Sequence, residues 1–431
     1  MTTDATPQNV HAAAERVGRY RWVICALLFT AIAINYVDRQ MIGVLKPTLQ
    51  KEFGWTEIEY GDVVFWFQVA YALGYVSFGS LVDRLGARVG YALAFAIWTF
   101  AHIGHGFASS LYQFFIARFA LGIGESGSFP ASIKAVADWF PKRERAFAIG
   151  LFNAGTNVGA IVTPLIVPLI VIDLALGWQA AFILVGVVQL VWLVVWLYVY
   201  RQPREHPRVK PPELALIESD PPDPEVKVPW RSLLRHRETW AYAVGKFLID
   251  PIWWMFLFWL PSFLFDRYGL DLKSFAVPLV IIYVISDIGS IGGGWMSSAM
   301  IKRGASINAA RKITMLICAL GALPVMFAMY ADDLWLAIAI VGLATAAHQA
   351  FSANLYTLPS DVFPRFAVGS VIGIGGTAGA IGGMLMAKYA GWVLDTIGSY
   401  TPIFIVAGSA YLLALLAVHL LSPRLEPVRL E

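Results

Sequence analysis

Charged residues interrupt the first long apolar stretch of the sequence, which runs from about Trp22 to Leu45. Positions 35–39 read Asn-Tyr-Val-Asp-Arg, and the chain then becomes apolar again. A helix that crosses a bilayer needs about 20 mainly apolar residues, so Asp38 and Arg39 fall inside the span. Each charge there costs at least about 2.5 kcal/mol, and such side chains normally face a bundle interior or a water-filled path. The residue types therefore predict a transport site.

A second charged pair, Arg118 and Glu125, lies in another apolar stretch. Seven residues are two turns of an α-helix, so both side chains share one face. A structural ion pair that closes a helix contact is the alternative, but buried pairs stabilise little. The pattern favours Asp38, Glu125 and Arg118 as proton-coupling residues. We expect His102 and His105, three residues apart, to serve helix contacts.

Candidate ligands for a polar substrate lie in several other spans. Lys246 precedes Asp250 by four residues, and the two could simply neutralise each other. The alternative places Lys246 across a cavity from Arg39, where a substrate carboxylate would bind. Polar side chains also bridge helices in membranes. The further candidates are Tyr36, Tyr71, Asn153, His348, Gln349, Ser352 and Asn354.

Composition sets the class of protein. Of 431 residues, 58% are hydrophobic and 14% are charged, whereas soluble domains have about 45–50% and about 25%. Apolar runs recur with centres near 33, 71, 98, 123, 158, 189, 253, 287, 319, 346, 379 and 411. We therefore predict an all-α integral membrane protein with twelve transmembrane helices in two pseudo-symmetric six-helix halves. Cys25 and Cys318 both lie in apolar stretches, so we expect neither a disulfide framework nor a metal site.

The predicted division of the chain follows the polar segments. A tail (1–21) precedes the first half (22–200), a proline-rich linker (201–237) follows, and a second half (238–421) leads to a short tail (422–431). Alternate loops and the linker carry most of the Lys and Arg, so the positive-inside rule places both termini and the linker in the cytoplasm. We expect the chain to lie in the cell inner membrane, and we read the first apolar stretch as retained because it is too long for a signal-peptide core.

Two sequence features relate the halves and mark their loops. Positions 138–141 and 361–364 read Asp-Trp-Phe-Pro and Asp-Val-Phe-Pro, and positions 79–88 read Gly-Ser-Leu-Val-Asp-Arg-Leu-Gly-Ala-Arg. The motif at positions 79–88 resembles a loop motif of the major facilitator superfamily. The parallel six-helix halves of that superfamily consist of inverted three-helix units. A solvated, positively charged turn is the alternative. The resemblance implies gating roles for Asp83, Arg84, Arg88, Asp138 and Asp361.

The charged motifs indicate one family within that superfamily. The motif at 35–39, the span from Arg118 to Glu125 and the loop motif together resemble the anion:cation symporter family of that superfamily. The sequences at 246–261 and 347–364 resemble its bacterial hexuronate transporters, which import glucuronate or galacturonate with protons. Two positions depart from that pattern, since Lys246 replaces an arginine and Asp38 is typical of aldonate-type members. Lysine lacks the two-pronged geometry with which arginine binds a carboxylate.

The sequence thus predicts a symporter for a small organic anion, a hexuronate, that uses the proton gradient and no cofactor. In this scheme ionised Asp38 neutralises Arg39, and its protonation frees Arg39 for the substrate carboxylate. The alternatives are an aldonate or aromatic-carboxylate symporter and a transporter-like ligand sensor. Nothing in the sequence suggests an enzyme or a nucleic-acid partner, and we expect a monomer in the lipid bilayer.

Overall fold

The structure is a computed structural model that describes residues 18–220 and 230–428. Every regular element in these residues is a helix. In the first half the helices are α1 (Tyr20–Phe53), α2 (Glu57–His105), α3 (Leu111–Ser126), α4 (Ser128–Trp139), α5 (Lys142–Asn153), α6 (Gly155–Pro168) and α7 (Gly177–Val199). A π-helical turn, Leu169–Asp173, extends α6. The described linker carries a 3₁₀ turn (Pro203–Glu205) and two short helices, α8 (Pro211–Ile217) and α9 (Trp230–Leu233).

The described part of the second half contains six helices. They are α10 (Arg237–Tyr268), α11 (Ala276–Lys302), α12 (Ile307–Ala322), α13 (Leu334–Val362), α14 (Arg365–Thr396) and α15 (Thr401–Leu421). A 3₁₀ segment, Leu323–Tyr330, extends α12. The all-helical prediction is therefore confirmed for the described residues.

Every predicted apolar centre falls inside a helical stretch. Nine helices in the described residues are long and apolar enough to cross a membrane. In addition, α2 has 49 residues and is interrupted at Gly86, which has φ 75° and ψ 164°. At 1.5 Å per residue α2 is long enough for two crossings of a hydrocarbon core about 30 Å thick. A positive φ with extended ψ is accessible to glycine alone, so Gly86 provides the reversal between them.

Glycines permit close packing between the long helices. A Cβ atom at Gly293 of α11 would lie 2.5 Å from Ala350 of α13, and one at Gly289 would lie 2.3 Å from the carbonyl oxygen of Ala346. Small residues let transmembrane helices approach closely, and van der Waals contact then holds them together. Gly289 and Gly293 therefore let α11 pack directly against α13.

The first part of the linker, up to α8, packs against the first half and α9 packs against α14 of the second half, so the linker marks one face of the molecule, the linker side. Arg21, at the start of α1, donates to the carboxylates of Glu213 in α8 and Glu144 in α5 over 3.2 and 2.8 Å. The ring of His206 lies 4.3 Å from that of Tyr20. In the second half, Lys312 donates to the carbonyl oxygen of Ser422 over 2.7 Å. Each half thus binds its own polar flanking segment.

The two halves contact each other toward the opposite side of the bundle. The Tyr60 hydroxyl donates to the carbonyl oxygen of Phe258 over 2.9 Å, and Lys388 forms an ion pair with Asp62. A Cβ atom at Gly61 would lie 2.8 Å from the carbonyl oxygen of Ala387. These contacts hold α2 of the first half against α10 and α14 of the second half on that side.

Candidate functional site

A cavity of about 490 Å³ lies between the two halves. Its lining comes from α1, α2 and α3 to α6 on one side and from α10, α11, α13 and α14 on the other. Eight of the nine predicted substrate ligands line it: Tyr36, Arg39, Tyr71, Asn153, Lys246, His348, Gln349 and Ser352. The prediction that these side chains converge on one chamber therefore agrees with the structure.

The described residues of the lining include two cationic side chains and two carboxylates. They are Arg39, Glu125, Lys246 and Asp250. Each cation pairs with a carboxylate of its own half, so the lining as a whole carries no net charge when all four groups are ionised. Any anion that enters must either compete with these carboxylates or arrive together with protons that neutralise them.

Arg39 forms the cationic pole of the first half. Its Nε atom donates to Glu125 Oε2 over 2.5 Å, and the Glu125 side chain is fully buried. The guanidinium also lies over the rings of Tyr36, Tyr71 and Trp254, at 5.1, 4.6 and 4.9 Å from their centroids. Aromatic faces attract a planar cation, and the guanidinium keeps further N–H donors for a carboxylate. The geometry suits this pole to bind an anionic group.

Lys246 forms the cationic pole of the second half. Its Nζ atom lies 2.8 Å from Asp250 Oδ1 and donates to the Tyr356 hydroxyl over 2.6 Å. The ammonium lies 3.9 Å from the centroid of the Tyr356 ring. The local pair with Asp250 and the position in the cavity, which the sequence offered as alternatives, are thus both realised.

Uncharged polar groups line the same cavity. His348 shares a hydrogen bond of 2.9 Å with the Tyr411 hydroxyl and stacks on Trp253 at 5.3 Å between ring centroids. Gln349 donates to Asn157 across the two halves over 3.5 Å. Such groups can donate to and accept from hydroxyl groups of a sugar.

Asp38 occupies a different place from the one predicted. Its two carboxylate oxygens accept from Gln189 Nε2 over 2.7 and 2.9 Å, and His102 Nδ1 lies 3.1 Å from Oδ1 without hydrogen-bond alignment. Asp38 is fully buried and does not line the cavity. Consecutive helical residues point about 100° apart, so Asp38 faces α2 and α7 while Arg39 faces the cavity. The expectation that Asp38 itself pairs with Arg39 is wrong.

Arg118 also lacks its predicted partner. Its three guanidinium nitrogens have no hydrogen-bond partner within the described residues, although the side chain is fully buried. The guanidinium lies over the rings of Phe67 and Phe258, at 4.5 and 5.7 Å. Glu125 instead pairs with Arg39 from α1. Arg118 nevertheless lies close enough to Glu125 and Asp38 for its positive charge to act on both predicted proton-coupling carboxylates.

Asn354 is the predicted ligand that the structure places elsewhere. Its Nδ2 atom donates to the carbonyl oxygens of Gly293 and Ala350 over 3.1 and 2.9 Å, and it does not line the cavity. The side chain bridges α13 to α11. Asn354 therefore bridges two helices, which is the alternative to substrate binding that the sequence left open for polar side chains.

Three of the five predicted gating residues have partners within their own half. Asp138 accepts from the Tyr200 hydroxyl over 3.1 Å, and Asp361 accepts from Arg311 over 3.0 Å. Arg88 donates to the carbonyl oxygen of Leu197 over 2.6 Å. Arg84 is exposed at the loop, and the side chain of Asp83 lies outside the described part of the structure. Gating by these residues stays a prediction.

Sequence reasoning missed the aromatic part of the site. The cavity is also lined by Tyr75, Tyr242, Trp253, Trp254 and Tyr356. Aromatic residues are frequent at membrane interfaces, so their presence in apolar stretches did not mark them. The one available signal was their position on the same helices as Tyr71, Lys246 and Ser352.

Two bundled halves around a central polar cavity define a membrane transporter fold. A family model described as Major Facilitator Superfamily matches residues 28–387, and the chain belongs to this family. It is 31% identical over 408 residues to the hexuronate transporter of Escherichia coli (strain K12), covering 92% of this chain and 93% of that protein. It is 29% identical over 421 residues to the D-galactonate transporter of Escherichia coli O6:H1, covering 95% and 97%. The predicted resemblance is confirmed.

A solved structure supports the fold independently. The inward open conformation of the xylose transporter XylE from E. coli superposes with a TM-score of 0.74 at 16% identity. The alignment covers 94% of this chain and 97% of that one. The fold is that of the superfamily, and the chain is a multi-pass membrane transporter and not a member of an enzyme family.

Proposed function

We propose that this protein is a proton-coupled symporter that imports a small organic anion, a hexuronate such as glucuronate or galacturonate. One observation carries the proposal: Arg39, a cation of the cavity, is neutralised by Glu125, a buried carboxylate that can take up a proton. The relatives named above transport a hexuronate and a galactonate by their names. Both are sugar acids of a size that suits the cavity.

Proton coupling follows from the Arg39–Glu125 pair. While Glu125 is ionised it occupies the Nε donor of Arg39, and the pair attracts a further anion weakly. A proton on Glu125 frees the cation for the substrate carboxylate, so that proton and anion bind best together. Asp38 lies directly behind this pole, with Gln189 and His102 as its neighbours. We assign it the second proton-coupling role, through the wall of the cavity and not through contact with Arg39.

Transport would proceed by alternating access. Contacts between the halves close the opposite side, whereas the cavity lining includes Ile133, Ile149 and Ile372 from the linker-side portions of their helices. With the linker and both termini in the cytoplasm, this arrangement faces inward. Twelve spans would then rock as two halves around the central site, in the cell inner membrane and as a monomer.

The direct test is accumulation in proteoliposomes. Purified protein is reconstituted, an inward proton gradient is imposed, and uptake of labelled D-glucuronate is followed with and without an uncoupler. We expect gradient-driven accumulation that the uncoupler abolishes. Arg39→Lys retains the charge but loses the planar donor array, and its affinity should fall at least about tenfold. Uptake that equilibrates without responding to the gradient would contradict proton coupling.

The galactonate relative supports a second candidate within the same class, an aldonate symporter. Aromatic carboxylates are the other predicted alternative, and the rings around Arg39 would suit them. Competition by unlabelled glucuronate, galactonate and benzoate against labelled glucuronate distinguishes the three. A ligand sensor would bind the acid in detergent but show no uptake in the same vesicles.

A further inference from the structure

The second cation–carboxylate pair of the cavity has no part in the coupling scheme above. Asp250 lies on α10, one turn after Lys246, and lines the cavity with 18% of its side chain exposed. A Cβ atom at Gly379 of α14 would lie 2.2 Å from Asp250 Oδ2. Because any larger residue at Gly379 would displace the carboxylate, the packing of α14 holds Asp250 against Lys246.

Among the described residues, Lys246 is the one cation that acts on Asp250. The titratable groups that act on it are Lys246 from its own helix and the hydroxyls of Tyr36, Tyr75, Tyr242, Tyr356 and Tyr411 from five helices. Tyrosine is neutral at physiological pH. The charge on Asp250 therefore decides whether Lys246 presents a free positive charge to the cavity.

We propose that Asp250 is a further proton-linked carboxyl, besides Glu125 and Asp38, whose protonation releases Lys246 to bind a second anionic group of a substrate. This inference rests on the proposed function and names the substrate class that the full site accepts: acids with an anionic group at each end, such as sugar diacids. With all four charges present the lining is neutral. One proton, on Glu125, balances a monoanion at Arg39; two protons, on Glu125 and Asp250, balance a dianion that spans both poles.

Charge balance makes the proton count depend on the ligand. The proton on Asp250 comes from the water of the cavity, and no covalent bond to the substrate forms. Because binding and protonation are linked reciprocally, a ligand that needs the protonated form takes up protons as it binds. A diacid should take up about one proton more than a monoacid of the same size.

The experiment measures proton uptake on binding to the purified protein in weakly buffered detergent at pH 7.5, with a pH indicator, for D-glucuronate and D-glucarate. We expect bound glucarate to take up about one proton more than bound glucuronate in the wild type. Asp250→Asn should lose this additional proton, and Asp250→Glu should restore it. Asp332→Asn, at an exposed ion pair with Arg267, is the matched control and should behave as wild type.

Each outcome bears on one of the two proposals. Equal proton uptake by wild type and Asp250→Asn would overturn the role of Asp250, even if glucuronate uptake remains proton-driven. If Asp250→Asn does not fold, equal proton counts for glucuronate and glucarate in the wild type would overturn it instead. If the wild type binds neither acid, the proposed substrate class is wrong and the inference fails with it.

Discussion

Replacement of Glu125 by glutamine tests the coupling at the Arg39 pole most directly. Gln has nearly the same shape as Glu and keeps a carbonyl oxygen that can accept from Arg39 Nε, which lies 2.5 Å from the present carboxylate. The substitution therefore removes the charge while it preserves the packing of a fully buried side chain. It mimics the protonated state permanently.

The magnitude follows from the geometry of the pair. Two unit charges about 4 Å apart attract by about 4 kcal/mol at an effective dielectric constant of about 20. Water in the cavity weakens this attraction, and we take half of it, about 2 kcal/mol, as the energy with which Glu125 competes against an anion. At about 1.4 kcal/mol per tenfold, this corresponds to about 30-fold in affinity.

We therefore expect Glu125→Gln to bind glucuronate about 30-fold more tightly than wild type at pH 8, with little difference at pH 5. Quenching of tryptophan fluorescence can report binding, because Trp253 and Trp254 line the cavity. In proteoliposomes the variant should exchange labelled for unlabelled substrate but fail to accumulate it against a gradient. Glu218→Gln, at an exposed ion pair with Arg204 in the linker, is the control.

Two results would refute this reasoning. One is a dissociation constant that rises with pH as steeply in Glu125→Gln as in the wild type. The other is undiminished gradient-driven accumulation by the variant. Either would show that another group carries the coupled proton and that the Arg39–Glu125 pair serves only to hold α1 and α3 together.

Three further predictions follow. Asp38→Asn should abolish accumulation but spare exchange in the same vesicles, and normal accumulation would exclude Asp38 from coupling. Gly293→Leu should lower the thermal unfolding temperature in detergent, because its side chain would enter Ala350 and overpacking costs about 1–3 kcal/mol; an unchanged temperature would argue against tight packing there. Oxidation of an Asp62→Cys, Lys388→Cys double variant should stop uptake reversibly, and activity of the cross-linked protein would contradict opening on that side.

The composition of the site was predictable because a membrane makes charged side chains conspicuous. Arg39 and Lys246 stand out in stretches where each charge is costly, and the structure brings both to one cavity. Hydrophobic length alone located the helices, since every predicted centre falls in one. These properties depend on single residues or single segments, and sequence contains them directly.

The partners of the charged residues were not predictable. Arg118 and Glu125 share a face of α3, yet Glu125 pairs with Arg39 from α1. Asp38 and Arg39 are neighbours in sequence, yet side chains at adjacent helical positions do not face each other. Gln189 from α7 became the partner of Asp38. Partner choice depends on how helices pack and rotate, which one sequence does not specify.

Attachment of each flanking segment to its own half has a mechanical consequence. The bonds of Arg21 to Glu213 and of Lys312 to Ser422 join groups that move together, so a rotation of one half against the other leaves them unbroken. Such a rotation must instead break the polar bonds and close backbone contacts between the halves on the side opposite the linker. Under the proposed mechanism, a change of charge in the central cavity has to overcome only these contacts to reverse the carrier.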